Sequence, residues 1–263
     1  MNEKPRIKII IVPNLRKAYI KASKILENSI FECLFINFPK IVEKLFILLL
    51  NGHINYEEFI LKIKDFNLPH ISSKSWLYLY EPLIKTIYSL KQRNFKIFCY
   101  INDEDYFKSI NYSINSIALL LRTSIMNKIN KEKWLKQLFE EINFDNELNK
   151  KILNTIENEV IKYNSSICIS DFNGCFLEEK LNEKFEVELI YSIVPYIFTS
   201  LEILKRKLIL KEKLNNDEIE KLIFQQIDYI KNYILLSDNL DEAYYKWVSK
   251  KLLEYINCKC FLT

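Results

Sequence analysis

Acidic side chains that follow two apolar runs are the residues of this chain best placed for chemistry. Asp103 and Asp105 come directly after the run at 95–101, and Asp171 follows the run at 167–170. In an open parallel sheet, ligands lie outside the carboxyl ends of the strands. Carboxylates that meet there could hold Mg²⁺ or Mn²⁺ and serve a metal-dependent phosphodiesterase or nuclease. Acidic residues also favour helix N-termini, so helix capping is the competing interpretation.

The elements that must position these residues form a repeating pattern of strands and helices. Segments rich in Ile, Val and Phe predict strands at 6–12, 31–38, 95–101, 167–170 and 185–194, and the first three of these are expected to be buried. Continuous apolar runs of this kind are typical of parallel sheets that are covered on both faces. The sequence therefore predicts an α/β fold with a mostly parallel central sheet flanked by helices.

Helical spacing of apolar residues predicts the remaining elements. The predicted helices lie at 15–28, 40–50, 56–63, 76–93, 106–130, 131–142, 146–163, 198–214, 217–235 and 240–257. Pro82 interrupts one of them, so a kink or a division into two pieces is expected there. Asp145 is expected to cap the helix at 146–163 after a loop. We expect an α/β domain at 1–200 and a helical C-terminal part at 201–263, packed as a single folding unit.

Composition argues against several classes of function. The chain has 263 residues and only two glycines, so it contains neither a G-x-G-x-x-G loop nor a P-loop. We expect no cofactor. The net charge is +4, from 38 basic and 34 acidic residues, and this balance lacks the clustered charge of a typical nucleic-acid binder. The longest apolar run, at 45–50, is far shorter than the ~20 residues of a membrane span. A cytoplasmic protein without a membrane span is therefore expected.

Histidine and cysteine give little support for catalysis. Only His53 and His70 are available as imidazole bases, and no G-x-S-x-G motif offers a serine nucleophile. The six cysteines lack the C-x₂-C pairs that zinc sites usually show. We therefore expect inert thiols and assign no metal site.

Arg122 lies among apolar neighbours, which are Ile117, Leu119, Leu120, Leu121 and Ile125. An arginine is rarely buried without a carboxylate partner. Either Asp103 or Asp171 could supply that partner in a structural ion pair, or Arg122 is simply exposed.

Two groups of residues are candidates for binding a partner. Trp76, Tyr78 and Tyr80 alternate along one segment, and aromatic side chains are favoured at protein interfaces. Core packing is the alternative for them.

The second group is basic and consists of Lys205, Arg206, Lys207 and Lys211. Contact with nucleic-acid phosphates needs several such cations along one groove. On a helix these four side chains spread around the circumference, so a solvated face is the alternative.

The layout of the chain resembles a known family. The segments that carry the resemblance lie at 9–23, 35–45, 96–109, 121–129 and 187–201. Together they are similar in order to the TraB/PrgY superfamily, with its Tiki- and ChaN-like proteins, over residues 6–205. The resemblance implies an α/β fold and a relationship to proteins that include Wnt-inactivating metalloproteases.

Most of the chemical residues of that family do not carry over. Its two G-x-x-H motifs and its V-E-L glutamate correspond to positions occupied by Ile11, Asn14, Asn37 and Pro195 or Tyr196. Asp103, Arg122 and Met126 match the family in kind. The sequence therefore predicts a non-catalytic protein-binding or scaffold subunit, as a homodimer or within a larger assembly. The nuclease and a nucleic-acid-binding subunit of a larger complex are the alternatives.

Overall fold

Strands and helices alternate along the first three quarters of the chain, and helices alone follow. A computed structural model describes residues 4–65 and 73–260. The strands are β1 (Arg6–Ile11), β2 (Cys33–Pro39), β3 (Lys96–Ile101), β4 (Ser165–Ser170) and β5 (Glu186–Tyr191). The helices are α1 (Arg16–Glu27), α2 (Lys40–Leu50), α3 (Tyr56–Asp65), α4 (Ser73–Ser89), α5 (Asp103–Met126), α6 (Lys131–Val160), α7 (Gly174–Leu181), α8 (Ser200–Ile209), α9 (Asn216–Tyr229) and α10 (Leu240–Cys260).

All five strands pair in parallel, in the order β3-β2-β4-β1-β5. β1 lies between β4 and β5, with Ile9 opposite both Cys168 and Leu189. The predicted α/β class and its parallel sheet are confirmed. Because every strand points the same way, the acidic residues that follow β3 and β4 lie at one edge of the sheet.

One compact unit contains this sheet and consists of Met1–Asn111 and Phe144–Val194. Side chains of β1, β2 and β4 pack against α6 and α7 on one face, and Ile9, Phe35 and Cys168 are fully buried there. Gly174 opens α7 in close contact with this core. A Cβ at Gly174 would lie 2.4 Å from Cδ1 of Ile11, so α7 can approach the sheet this closely only because residue 174 has no side chain.

A second compact unit consists of Tyr112–Asn143 and Pro195–Thr263, and its described residues contain helices and no strand. Its core contains Trp134, Leu138, Leu204 and Ile223, which are shielded from solvent. The expected helical part at 201–263 therefore lacks residues 112–143 of this unit. Those residues lie mostly in α5 and α6, and each of these helices continues from one unit into the other. None of the helices within 4–65 and 73–260 has the length and hydropathy that crossing a bilayer requires.

Several predicted boundaries are corrected by the structure. The helices expected at 131–142 and 146–163 are one helix, α6, so Asp145 is not an N-cap. From Phe144 onward a buried or partly buried residue recurs at every fourth position as far as Val160, and this face keeps the helix continuous across the expected loop.

Three further differences concern single elements. α7, at Gly174–Leu181, is a helix that the sequence did not predict. β5 ends at Tyr191, where its partner β1 also ends, and not at residue 194. Pro82 lies inside the single helix α4, which is followed by a 3₁₀ turn at Lys91–Arg93 and by Asn94 at φ 49°.

Candidate functional site

Three acidic residues follow β3 in the first turn of α5, and Asp103 and Asp105 are the two candidates among them. The side-chain Oδ1 of Asp103 accepts a hydrogen bond from the backbone N–H of Ile41 at 2.8 Å. Ile41 belongs to the first turn of α2, where backbone N–H groups have no partner within the helix. Asp103 therefore caps α2, and the capping interpretation describes this residue better than a metal ligand does.

Asp105 is buried, with 5% of the residue exposed. Both of its carboxylate oxygens accept hydrogen bonds from Nζ of Lys151 in α6, at 2.8 and 3.0 Å. A buried carboxylate is tolerated when it is paired and hydrogen-bonded in this way. The negative charge of Asp105 is therefore balanced within the α/β unit.

Asp171 follows β4 at the same edge of the sheet. Its Oδ1 accepts the backbone N–H of Asn173 at 2.9 Å, which closes a local turn. Burial raises the pKa of the Asp171 carboxyl above its ordinary value. Burial also raises the pKa of Tyr19 and of Tyr100, and the nearby Asp171 charge adds to both effects. These residues form a desolvated, largely uncharged surround for Asp171.

The three aspartates do not make the metal site that the nuclease alternative requires. Among the residues that the structure describes, no three His, Cys, Asp or Glu side chains are grouped so that they could hold a metal ion. His53 is exposed, and His70 lies outside the described residues. The residues present therefore do not fit the metal that the family resemblance implies.

Arg122 is exposed on α5 and forms no ion pair with any described residue. Of the two interpretations drawn from the sequence, exposure describes Arg122, and the buried ion pair with Asp103 or Asp171 is wrong.

The aromatic candidates of α4 are mostly interior. Trp76 is 3% exposed, and its ring centroid lies 5.0 Å from that of Phe38. Tyr80 packs edge-on against Phe38 at 4.7 Å and against Tyr19 at 4.9 Å. Core packing therefore explains Trp76 and Tyr80, and Tyr78 is the exposed member of the three, at 36%.

The basic candidates of α8 are largely neutralised. Lys205 forms an ion pair with Glu141, and Nζ of Lys207 lies 2.9 Å from a carboxylate oxygen of Glu212 and of Glu218. The guanidinium of Arg206 lies 4.3 Å from the ring centroid of Phe198, and Lys211 is exposed just beyond the helix. Together they do not form a row of free cations along one groove.

Exposed apolar side chains form a stripe on the second half of α5. Ile117, Leu121 and Ile125 recur at every fourth residue and are 53%, 56% and 83% exposed. Residues four apart lie on the same face of a helix, so the three side chains make one apolar surface. We refer to these three residues as the α5 stripe.

The turn from α5 to α6 places a second feature beside the α5 stripe. α5 ends at Met126, and Asn127 adopts a left-handed conformation at φ 48°. The side chain of Asn130 then accepts the backbone N–H of Lys133 at 3.0 Å at the start of α6. The indole Nε1 of Trp134 donates to Oγ1 of Thr123 at 3.1 Å. These contacts hold the two helices side by side in the helical unit.

Between these helices lie two adjoining cavities of about 520 and 340 Å³. Both are lined by Leu119, Arg122 and Lys133, and Lys128 lines the larger one and Lys136 the smaller one. We refer to the two cavities together as the basic groove. The sequence alone pointed to Arg122 but not to the α5 stripe or to the lysines of the groove, which include Lys131 in the larger cavity. The signal that could have revealed the α5 stripe is the stretch from 109 to 127, where Arg122 is the only charged residue.

Comparison of the chain with protein-family models, with curated proteins and with solved structures finds no match. The resemblance to the TraB/PrgY superfamily therefore stays a prediction from the sequence.

Proposed function

We propose that this chain is a non-catalytic protein-binding subunit and that it binds its partner through the α5 stripe. Single exposed apolar residues are normal on protein surfaces. Three in a row on one helix face are different, because contiguous apolar surface marks interaction sites. The exposure of Ile117, Leu121 and Ile125 is the observation that carries the proposal.

The energy available from this surface is that of one part of an interface. Complete burial of an Ile or Leu side chain contributes about 1.5–3 kcal/mol. The three residues of the α5 stripe are already partly shielded, so their remaining exposed area offers on the order of 3 kcal/mol in total. That amount matches a small group of anchoring residues within a larger interface.

The acidic strand ends support the non-catalytic part of the proposal. Asp103 caps the N-terminus of α2, Asp105 is paired with Lys151, and Asp171 accepts the backbone N–H of Asn173 in a local turn. Each carboxylate thus has a structural partner at the edge of the sheet where a reaction would be expected. A catalytically degenerate member of the TraB/PrgY superfamily, as the sequence layout implies, would have this character.

The proposal is tested by a matched pair of surface substitutions. Leu121→Glu places a charge in the α5 stripe, and Leu61→Glu does the same at a leucine of α3 with nearly equal exposure, 58% against 56%. The tagged full-length chain would be isolated from the cells that produce it, and co-purifying proteins would be quantified by mass spectrometry. We expect Leu121→Glu to reduce a stoichiometric partner by at least ~10-fold, which is ~1.4 kcal/mol, and Leu61→Glu to retain it.

Two controls separate binding from folding. Both variants should keep the wild-type thermal transition, because substitutions at exposed positions usually change stability by less than ~0.5 kcal/mol. A photo-reactive amino acid at position 125 should form a covalent adduct with the same partner, and one at position 61 should not. Equal recovery with both variants, isolation of the chain without a protein partner, or co-purification of nucleic acid alone would overturn the proposal.

A further inference from the structure

Five cations line the basic groove, against the two carboxylates of Glu132 and Glu140, and one of the cations, Lys131, pairs with Glu220 at 2.8 Å. The side chains of Arg122, Lys128 and Lys133 form no ion pair with any residue in the described part of the chain. Lys136 approaches Glu140 only to 3.9 Å. Exposed like charges in one place repel each other modestly, so this arrangement favours an anionic ligand over empty solvent.

The groove also has an apolar floor that continues toward the α5 stripe. The larger cavity is lined by Leu119, Met126 and Ile129 as well as by its cations, and Met126 is 58% exposed. On α5, Arg122 is displaced by about 100° around the helix axis from Leu121, because an α-helix has 3.6 residues per turn. Apolar and cationic surface therefore lie next to each other along the same helix.

The length and spacing of this surface suit a helical ligand. Ile117 and Ile125 are separated by eight residues, or about 12 Å along the helix axis. A helix that packs against another presents apolar residues three and four apart, in the same spacing as the α5 stripe. Acidic residues on the flank of such a helix would face Arg122 and Lys133.

A second copy of this chain would fit the groove poorly. In a two-fold symmetric interface, both subunits use the same patch. If two α5 stripes met in antiparallel orientation at Leu121, the Arg122 side chains of both copies would lie on the same side of the contact. Like charges placed opposite each other cost binding energy, so the groove favours a partner of opposite charge.

Nucleic acid is also a weaker fit than an acidic protein. Proteins that bind single strands combine cations with exposed aromatic rings on which bases stack. Neither cavity of the groove is lined by an exposed aromatic side chain, and the one aromatic lining residue, Trp134, is fully buried. Aliphatic side chains make no favourable contact with a phosphate backbone. They do pack favourably against the apolar face of an amphipathic helix.

We infer that the partner presents an acidic amphipathic helix, whose apolar face packs on the α5 stripe and whose carboxylates pair with Arg122, Lys128 and Lys133. This inference rests on the proposed function, since it names the chemistry of the partner that binds there. It goes further in assigning the basic groove as the site that selects the partner by charge.

Carbodiimide coupling tests the inference directly on the full-length chain with its co-purifying protein. The reagent activates a carboxylate, a lysine amine in direct contact displaces the activated group, and an amide forms while the reagent leaves as a urea. We expect adducts that join Lys128 or Lys133 to Asp or Glu residues of the partner. The joined partner peptide should have apolar residues at intervals of three and four.

Charge variants provide the matched control. Lys133→Arg keeps the positive charge but lacks the amine, so partner recovery should persist while the adduct at residue 133 disappears. Arg122→Glu combined with Lys133→Glu should lower recovery at least ~10-fold, and recovery by the unmodified chain should fall as salt increases.

The outcomes distinguish this inference from the proposed function. If Leu121→Glu abolishes recovery while the double charge reversal retains it, the α5 stripe binds protein but the acidic partner is wrong. If Leu121→Glu retains recovery, the proposed function itself fails. Adducts between two isotopically distinguished copies of this chain, or loss of the partner after nuclease treatment, would replace the acidic helix by a second copy or by nucleic acid.

Discussion

Charged side chains cluster both at the acidic strand ends of the α/β unit and in the basic groove of the helical unit. The two regions differ in whether these charges have partners within the protein. At the strand ends, Asp103 accepts a backbone N–H and Asp105 is paired with Lys151. In the groove, Arg122 and Lys133 extend into solvent without a partner among the described residues. A charge cluster at the expected place in a fold can thus be structural, whereas unsatisfied charges elsewhere are better evidence of a ligand.

The physical cause of the difference is burial. Asp105 is 5% exposed, and an uncompensated charge at such a position is costly, so a partner within the protein is required. The groove cations are solvated, and ion pairs between exposed charges contribute little to stability. Nothing in folding therefore requires the groove cations to be paired, and they stay available to a second molecule.

The largest effect is expected from the core that supports the groove. Trp134→Ala should destabilise the helical unit by about 3–5 kcal/mol, because it removes a fully buried indole and leaves a cavity. Chemical denaturation followed by circular dichroism would measure this loss. Trp134→Phe should cost less, since it keeps most of the packing and loses the hydrogen bond to Thr123. A loss below ~1 kcal/mol for Trp134→Ala would mean that the groove is not built on a rigid core.

A direct comparison of the two regions gives the next largest effect. Lys151→Met removes the partner of the buried Asp105, and we expect a loss of about 2 kcal/mol in the free energy of unfolding. Arg122→Met removes an equally charged but unpaired side chain and should change stability by less than ~0.5 kcal/mol. Both values come from the same denaturation experiment. Equal losses would show that the two regions do not differ in the way described above.

The sheet was predictable from sequence because its strands include short Ile-rich runs of the kind that are typical of a covered parallel sheet. The continuity of α6 was not, because Asp145 has the chemistry of an N-cap and the decisive feature is the packing of Phe144. Similarly, α7 depends on the close approach of Gly174 to Ile11. Contacts between residues far apart in the chain decide both cases.

The candidate site was harder to predict for the same reason. The positions of the predicted strand ends placed Asp103, Asp105 and Asp171 correctly at one edge of the sheet. They did not indicate which residues pair with these carboxylates. Lys151 lies 46 residues beyond Asp105, within a helix that was expected to begin afresh at 146. In contrast, the uncharged stretch around the α5 stripe is visible in the sequence. The sequence does not show that this stretch forms an exposed surface, because that follows from the exposure of Ile117 and Ile125 in the structure.

The smallest effect is expected at Asp171. Burial raises the pKa of this carboxyl in the folded state, while the unfolded chain has a pKa near 4. Between those two values the folded protein binds more protons than the unfolded chain, so the contribution of Asp171 to stability falls as pH rises. Asn keeps the carbonyl oxygen that accepts the N–H of Asn173 and never ionises.

Asp171→Asn should therefore stabilise the α/β unit at neutral pH, by about 1 kcal/mol or less. The gain should shrink as pH is lowered through the window above ~4 and vanish below it. Urea denaturation of both proteins at several pH values would measure the difference. Tyr19, Tyr80 and Tyr100 face this carboxyl and are uncharged throughout that window, so they add no slope of their own. A destabilised variant at neutral pH would instead indicate that the ionised carboxylate is held by a cation, and the strand ends would then be fully paired.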